Sequence, residues 1–165
     1  MKTTRRQREG KASSPAVEEE LEAVAQLVEV RGGRLTPWRR EVLRVILESQ
    51  TPIGAYGVLE ALRRDHPALT PPTVYRALDF LMAQGIVHRI SHLAAFVPCH
   101  RGAGREHRAQ FLICRGCGRT VELDVPELVG LLEGRAAREG FAIEGMTIEA
   151  EGLCAACRLS ASRDG

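Results

Sequence analysis

Cys114-Arg-Gly-Cys117 and Cys154-Ala-Ala-Cys157 are two matched C-x-x-C pairs in a chain of 165 residues with five cysteines. Two thiolates at that spacing chelate one ion from a single turn, and two such pairs complete a tetrahedral four-sulfur site for zinc. A closed four-thiolate site leaves no open coordination position, so its role is structural. Sites of this kind contribute on the order of 10 kcal/mol or more to folding. The competing reading is a redox C-x-x-C of thioredoxin type, which usually stands alone beside a βαβ unit rather than as a matched pair.

A looser set follows from residue types: His88, Cys99, His107 and Glu122. Imidazole, thiolate and carboxylate all suit Zn²⁺, and one thiolate with one carboxylate neutralises the ion. His92 and His100 are rival ligands. The plain alternative is a buried thiol at Cys99 among ordinary histidines. A third set is Thr73, Tyr75 and Arg76, with Arg89 a little further on. Arginine forks onto guanine in the major groove, and threonine and tyrosine reach phosphates or bases. A solvated helix face would present the same residues.

These sets need elements to hold them. Ser14-Pro15 and Thr36-Pro37 are helix-start signals, and Gly32-Gly33 is a stop. Val17, Leu21, Val24 and Val28, then Val42, Leu43, Ile46 and Leu47, recur at helical spacing. A third helix is expected over residues 55–65, and a fourth runs from Thr70-Pro71-Pro72 to near Gly85. On the fourth, Val74, Ala77, Leu78, Leu81 and Met82 share one face. Arg76 points away from it, with Thr73, Asp79 and Phe80 on the outer side and Tyr75 on the flank. Residues 86–91 and 94–98 read as a hairpin. Helices followed by a hairpin is the order of a winged helix, whose last helix reads DNA. A small helical domain with a solvated fourth helix fits the same order.

Residues 101–108 are Gly-rich and charged, and mark a boundary. Beyond it, 110–114 and 120–123 read as paired strands around a Cys-bearing knuckle. Asp124 and Glu127 make a capping-box pattern that opens a helix to about Glu139. Phe141, Ile143, Met146, Ile148 and Ala150 alternate as in a strand, with a phase shift at Gly145 that suggests a bulge. The fold class is therefore α+β. It comprises a disordered basic arm (1–16), a winged-helix DNA-binding domain (17–98), a hinge (99–109), an α/β dimerisation domain with the four-cysteine zinc site (110–158) and a flexible tail (159–165).

Net charge is only +2, and hydrophobic residues make up 44% of the chain, so packed cores form and wholesale disorder is excluded. The basic residues Lys2, Arg5, Arg6, Arg8 and Lys11 gather at the start against a single Glu9. No run of about 18 apolar residues spans a membrane. No apolar segment follows Arg5-Arg6, and the cysteine count is odd. The expected compartment is a reducing cytoplasm.

Arg34-Leu-Thr-Pro-Trp-Arg-Arg, Pro71-Pro-Thr-Val-Tyr-Arg-Ala-Leu-Asp-Phe-Leu, Gln84-Gly-Ile-Val-His88, Cys99-His100 and Gly152-Leu-Cys-Ala-Ala-Cys157 occur in the order found in the ferric uptake regulator family. Over roughly residues 17–158 the chain resembles that family, and its zinc-sensing branch in particular. The resemblance implies a homodimer that binds double-stranded palindromic operators when zinc is abundant and represses zinc importer genes. It implies two Zn²⁺ per chain, a structural ion on Cys114, Cys117, Cys154 and Cys157 and a sensing ion on His88, Cys99, His107 and Glu122. Its base-reading positions fall on Tyr56 and Arg76. Glu60 and Arg63 occupy the positions that pair two dimers on one operator. The His-rich run of iron-type members is missing before Cys114, and so is the Cys/His-rich tail of some zinc members.

Two other readings compete. A same-family regulator would sense iron, manganese or peroxide. A zinc-ribbon interaction module would lack salt-dependent DNA affinity. A zinc enzyme finds no support: H-E-x-x-H, H-x-E with P-C-x-x-C, and a nucleophile elbow are all absent.

Overall fold

In the computed structural model, which describes residues 14–99 and 108–161, the Ser14 hydroxyl accepts the Val17 amide at 3.3 Å and starts α1 (Pro15–Val30). A hydroxyl cap followed by proline is the helix-start chemistry expected there. Leu21, Val24 and Val28 of α1 are buried in one core with Val42, Leu43 and Ile46 of α2 (Pro37–Glu48). Glu18 bridges Arg40 at 3.1 Å and Arg44 at 3.2 Å, which sets α1 against α2 at the rim of that core. Val58, Leu59 and Leu62 of α3 (Ala55–Arg63) and Val74, Ala77, Leu78 and Leu81 of α4 (Pro71–Ala83) complete it.

Three strands accompany the helices. β1 (Ile53–Gly54), β2 (Val87–Ile90) and β3 (Ala95–Pro98) form an antiparallel sheet in the order β1-β3-β2. The β2–β3 hairpin is the wing. At two residues, β1 is too short to show a period in the sequence. Gly85 at φ +64° ends α4 tightly: its N–H donates to Met82 O, and Ile86 N–H donates to Leu81 O, both at 2.9 Å. That left-handed stop suits glycine, and it starts β2 two residues later. His88 and Arg89 are thereby tied to the end of α4.

The second sheet has the order β5-β4-β6, from β4 (Gln110–Cys114), β5 (Thr120–Leu123) and β6 (Ile148–Gly152). β5 runs antiparallel to β4, whereas β6 runs parallel to it, reached through α5 (Pro126–Arg138). Phe111 and Ile113 of β4 cluster with Ile90, Val97 and Ala109, so a small apolar core joins the two sheets. No described helix is long and apolar enough to cross a membrane.

Four expectations are corrected. The N-cap of α5 is Val125 rather than Asp124, and the Val125 N–H donates to the buried Gln110 Oε1 at 2.8 Å. That bond to β4 fixes the exit from β5, and the helix starts one residue later than the motif suggested. The alternation over 141–147 does not make a strand, because all five residues of β4 are already paired with Ile148–Gly152. A bulge at Gly145 then has no ladder to interrupt. Residues 159–161, expected in a flexible tail, belong to α6 (Ala155–Ala161), which starts from the second cysteine pair. Phe80 does not stand on the open outer face of α4: it packs against the helical core, and the Arg39 guanidinium lies 3.4 Å from its ring centroid.

Candidate metal centres and nucleic-acid interface

The first cysteine pair sits on the turn between β4 and β5. Gly118 at φ +71° donates to Cys114 O at 2.9 Å, and Cys114 N–H donates to Arg119 O at 2.9 Å, closing a tight knuckle. The second pair enters α6 from the end of β6, and the parallel β4–β6 pairing carries it back to the knuckle. Arg115 N–H donates to Gly152 O at 2.9 Å, and Cys154 N–H donates to Cys114 Sγ at 3.2 Å. The four sulfurs all lie within 4.8 Å of one another, and none of the five cysteines is in a disulfide. Cys117 Sγ and Cys154 Sγ are 3.8 Å apart. Two thiolates at corners of a tetrahedron with metal–sulfur bonds of about 2.3 Å stand about 3.8 Å apart.

The charges agree with that geometry. The amides of Cys154, then Cys117 and Gly116, hold the Cys114 thiol down at about 6. The sulfurs of Cys154, Cys114 and Cys117 retain the Cys157 proton and push it up to about 12. Four sulfurs so close cannot all ionise without a cation among them. Donor type, number and spacing all fit a structural zinc ion. Gly116 keeps the space open: a Cβ there would meet Cys157 Sγ at 2.8 Å.

The second cluster lies where the two sheets meet. His88 comes from β2, Cys99 follows β3, and Glu122 comes from β5. Their ligand atoms lie within 4.8 Å of one another, with His88 Nε2 3.5 Å from Glu122 Oε1. The side chain of Glu122 is 3% exposed and that of His88 17%. Cys99 is buried, and its N–H donates to Ile86 O at 2.9 Å, extending the hairpin so that its thiol joins His88. The His88 ring is 5.7 Å from Phe111, the cross-strand partner of Glu122. A buried set of one imidazole, one thiolate and one carboxylate fits Zn²⁺. His107 and the rival His100 lie outside the described residues. The other rival, His92, is elsewhere: its Nε2 is 2.9 Å from Glu151 Oε1 on β6.

The polar face of α4 is open. Tyr75 and Arg76 are exposed, and Arg76 has no ion-pair partner among the described residues. Tyr56, 70% exposed on the first turn of α3, shares a small cleft with Tyr75 between the two helices. Thr73 is half-buried, its Oγ1 3.2 Å from that of Thr70, and Arg89 is exposed on the wing. Glu60 and Arg63 are exposed on α3, although Arg63 Nε donates to Leu69 O at 2.9 Å and braces the turn into α4.

The model of the ferric uptake regulator family matches residues 30–151. The chain belongs to the ferric uptake regulator family. It is 43% identical over 127 residues to the zinc uptake regulation protein of Escherichia coli K12, covering 77% of this chain and 74% of that protein. It superposes on a zinc uptake regulator complexed with zinc and DNA with a TM-score of 0.86 at 38% identity, over 90% of this chain and 99% of the other. A further regulator, XcZur, has been solved in two states. The holo form matches with a TM-score of 0.80 at 45% identity, over 86% of this chain and 98% of that one. The apo form matches with 0.50 at 44%, over 86% and 97%.

One part of the seam was missed in the sequence. Glu149 and Glu151 of β6 reach the wing turn, with Ser91 N–H and His92 N–H donating to the Glu149 carboxylate at 2.6 and 3.0 Å. The available signal was two glutamates at i and i+2 on a strand of otherwise apolar alternation.

Proposed function

We propose that this chain is a zinc-responsive, DNA-binding transcriptional repressor of zinc uptake genes, acting in the cytoplasm as a dimer on palindromic operators. The observation that carries this reading is the approach of His88, Cys99 and Glu122 across the seam between the DNA-facing half and the second sheet. When bound, a divalent zinc ion supplies the charge that lets a thiolate, a carboxylate and an imidazole share one dry site. Glu122 then draws the hairpin bearing His88 and Cys99 onto the second sheet, with His107 as the fourth expected donor. The wing is tied to α4 through Gly85, so the attachment sets where Arg76 and Arg89 face. Without zinc the halves take other angles, and operator affinity falls by the fraction of chains that leave the competent arrangement. Zinc on the four cysteines is a second ion per chain, and it holds the second sheet together rather than reporting zinc supply.

The dimer reading rests on uncovered apolar surface. α5 buries none of its residues, and Leu131 is 64% and Phe141 68% exposed. Leu112, Val121 and Leu153 are also exposed around an apolar hollow on the sheet face that points away from the DNA-facing half. A second copy covering this area would set two α4 helices one helical turn of DNA, or a multiple, apart. Tyr56, Thr73, Tyr75, Arg76 and Arg89 are the proposed DNA contacts, and Glu60 with Arg63 would join two dimers on one operator.

The deciding experiment presents fragmented genomic DNA to the purified protein at low and high buffered free zinc. The expected result is enrichment of a palindrome near transporter promoters at high zinc only, with affinity falling steeply in salt. Enrichment with iron or manganese in place of zinc would overturn the zinc assignment. Absence of enrichment under every metal would overturn the repressor.

A further inference from the structure

The seam between the halves has a second attachment beside the proposed metal ligands. Glu149 accepts Ser91 N–H at Oε1 and His92 N–H at Oε2, so its two oxygens cap the turn of the wing. Two positions along β6, and therefore on the same sheet face, Glu151 Oε1 reaches His92 Nε2. The turn so held is tight: Ala94 N–H donates to Ser91 O at 3.1 Å, and Ala94 itself has φ +46°, a region that residues with a β-carbon rarely enter.

The register shows what the arrangement does. Phe111 on the central strand pairs with Glu122 on β5 and with Glu149 on β6. The two glutamates thus flank Phe111 on one face of the sheet. Glu122 reaches His88 of β2 on one side, and Glu149 reaches Ser91 and His92 just past β2 on the other. A hairpin held at one point can pivot there; held at both ends of β2, it cannot.

We propose that Glu149 is a positioning residue for zinc-dependent DNA binding: a carboxylate clamp on the wing turn, seconded by Glu151 and His92, that fixes the wing's angle together with the His88, Cys99 and Glu122 cluster. Backbone amides bonded to an ionised carboxylate are among the stronger hydrogen bonds. The clamp and the metal favour the same arrangement of the halves. Removing one therefore weakens the other, although Glu149 touches neither DNA nor the proposed zinc ligands. The inference rests on the zinc-dependent DNA binding proposed above.

The test compares full-length, zinc-loaded wild type with Glu149→Gln and Glu149→Asp. Glutamine keeps one acceptor oxygen and loses the charge. For Glu149→Gln, the amides of Ser91 and His92 exchange faster. DNA affinity at saturating zinc falls about tenfold or more, the loss expected for a hydrogen bond to a charged group, and zinc affinity at the seam falls in the same direction. Dimer mass, unfolding midpoint and zinc on the four cysteines stay unchanged. Glu149→Asp restores part of the loss. Unchanged DNA and zinc affinities in Glu149→Gln would overturn the proposal, and so would a loss matched by a fall in the unfolding midpoint, which is a purely structural role. If wild type itself shows no zinc-dependent DNA binding, the functional reading fails, while unprotected Ser91 and His92 amides in wild type would show that the clamp itself is absent.

Discussion

His88 Nε2 lies 3.5 Å from Glu122 Oε1, although His88 belongs to the sheet of the wing and Glu122 to the sheet of the C-terminal half. Neither sheet alone makes this pair. A cation bound there would report on the angle between the halves, because it would bind well only when the two side chains are together.

Glu122→Ala removes the one donor contributed to the described cluster by the C-terminal half. The variant is expected to stay folded and dimeric, with zinc on the four cysteines, and to require about 100-fold or more free zinc to bind operator DNA. Even outer contacts of metal sites typically cost 10–100-fold. Zinc-buffered anisotropy measures this, and a variant that binds operator DNA at the same free zinc as wild type would remove Glu122 from the sensor.

Gly116→Ala is a change of one methyl group on an exposed turn, normally harmless. Here the added carbon would lie 2.8 Å from Cys157 Sγ and 3.0 Å from its Cβ. The expected outcome is weakened zinc retention by the four cysteines under chelator challenge and a lower unfolding temperature, while Gly130→Ala, in open space on α5, loses no zinc. Equal retention in both variants would show that the knuckle yields freely.

Zinc loading of the four cysteines releases protons, because thiolates are the ligands. Cys114 is held at about 6, below its ordinary 9.0, so at pH 7.5 it is already a thiolate and loading releases fewer than four protons. As pH falls through 6 Cys114 takes up its proton, the number released rises by about one, and zinc affinity declines more steeply. Calorimetry in buffers of different ionisation enthalpy counts these protons. A count that does not change between pH 7.5 and 5.5 would contradict the assignment.

Arg76→Ala and Arg89→Ala separate base reading from phosphate contact. Arg76→Ala should cost about 1–3 kcal/mol and relax sequence preference. Arg89→Ala should weaken all sequences alike and reduce the salt slope by about one. Binding to scrambled and intact operators over a salt series distinguishes them, and indifference of the operator to Arg76→Ala would displace α4 as the reading helix.

Leu131→Glu puts a charge on the exposed apolar face of α5. If a second copy covers that face, the dimer weakens by about 2 kcal/mol or more and sedimentation shifts toward monomer. A dimer of unchanged strength would move the interface elsewhere.

Much was legible along the chain because it is written in local chemistry. Proline after Ser14, Thr36 and Thr70 marks where α1, α2 and α4 begin, and helical spacing of apolar residues marks what they bury. The C-x-x-C pairs announce which four sulfurs gather, since a two-residue gap is the spacing at which one turn presents two thiols together. Tertiary structure decided what depends on partners distant in sequence. The length of β6 follows from the five residues of β4 available to it, so alternation over 141–147 was no guide. Gln110 of β4 holds the amide of Val125, and α5 is capped there rather than at Asp124. The sequence put His88 in the candidate ligand set and kept His92 and His100 as rivals. Only the packing of two sheets around Phe111 sends His88 to Glu122 and His92 to Glu151, because side-chain type states what a residue can bind and the fold alone states what comes within reach.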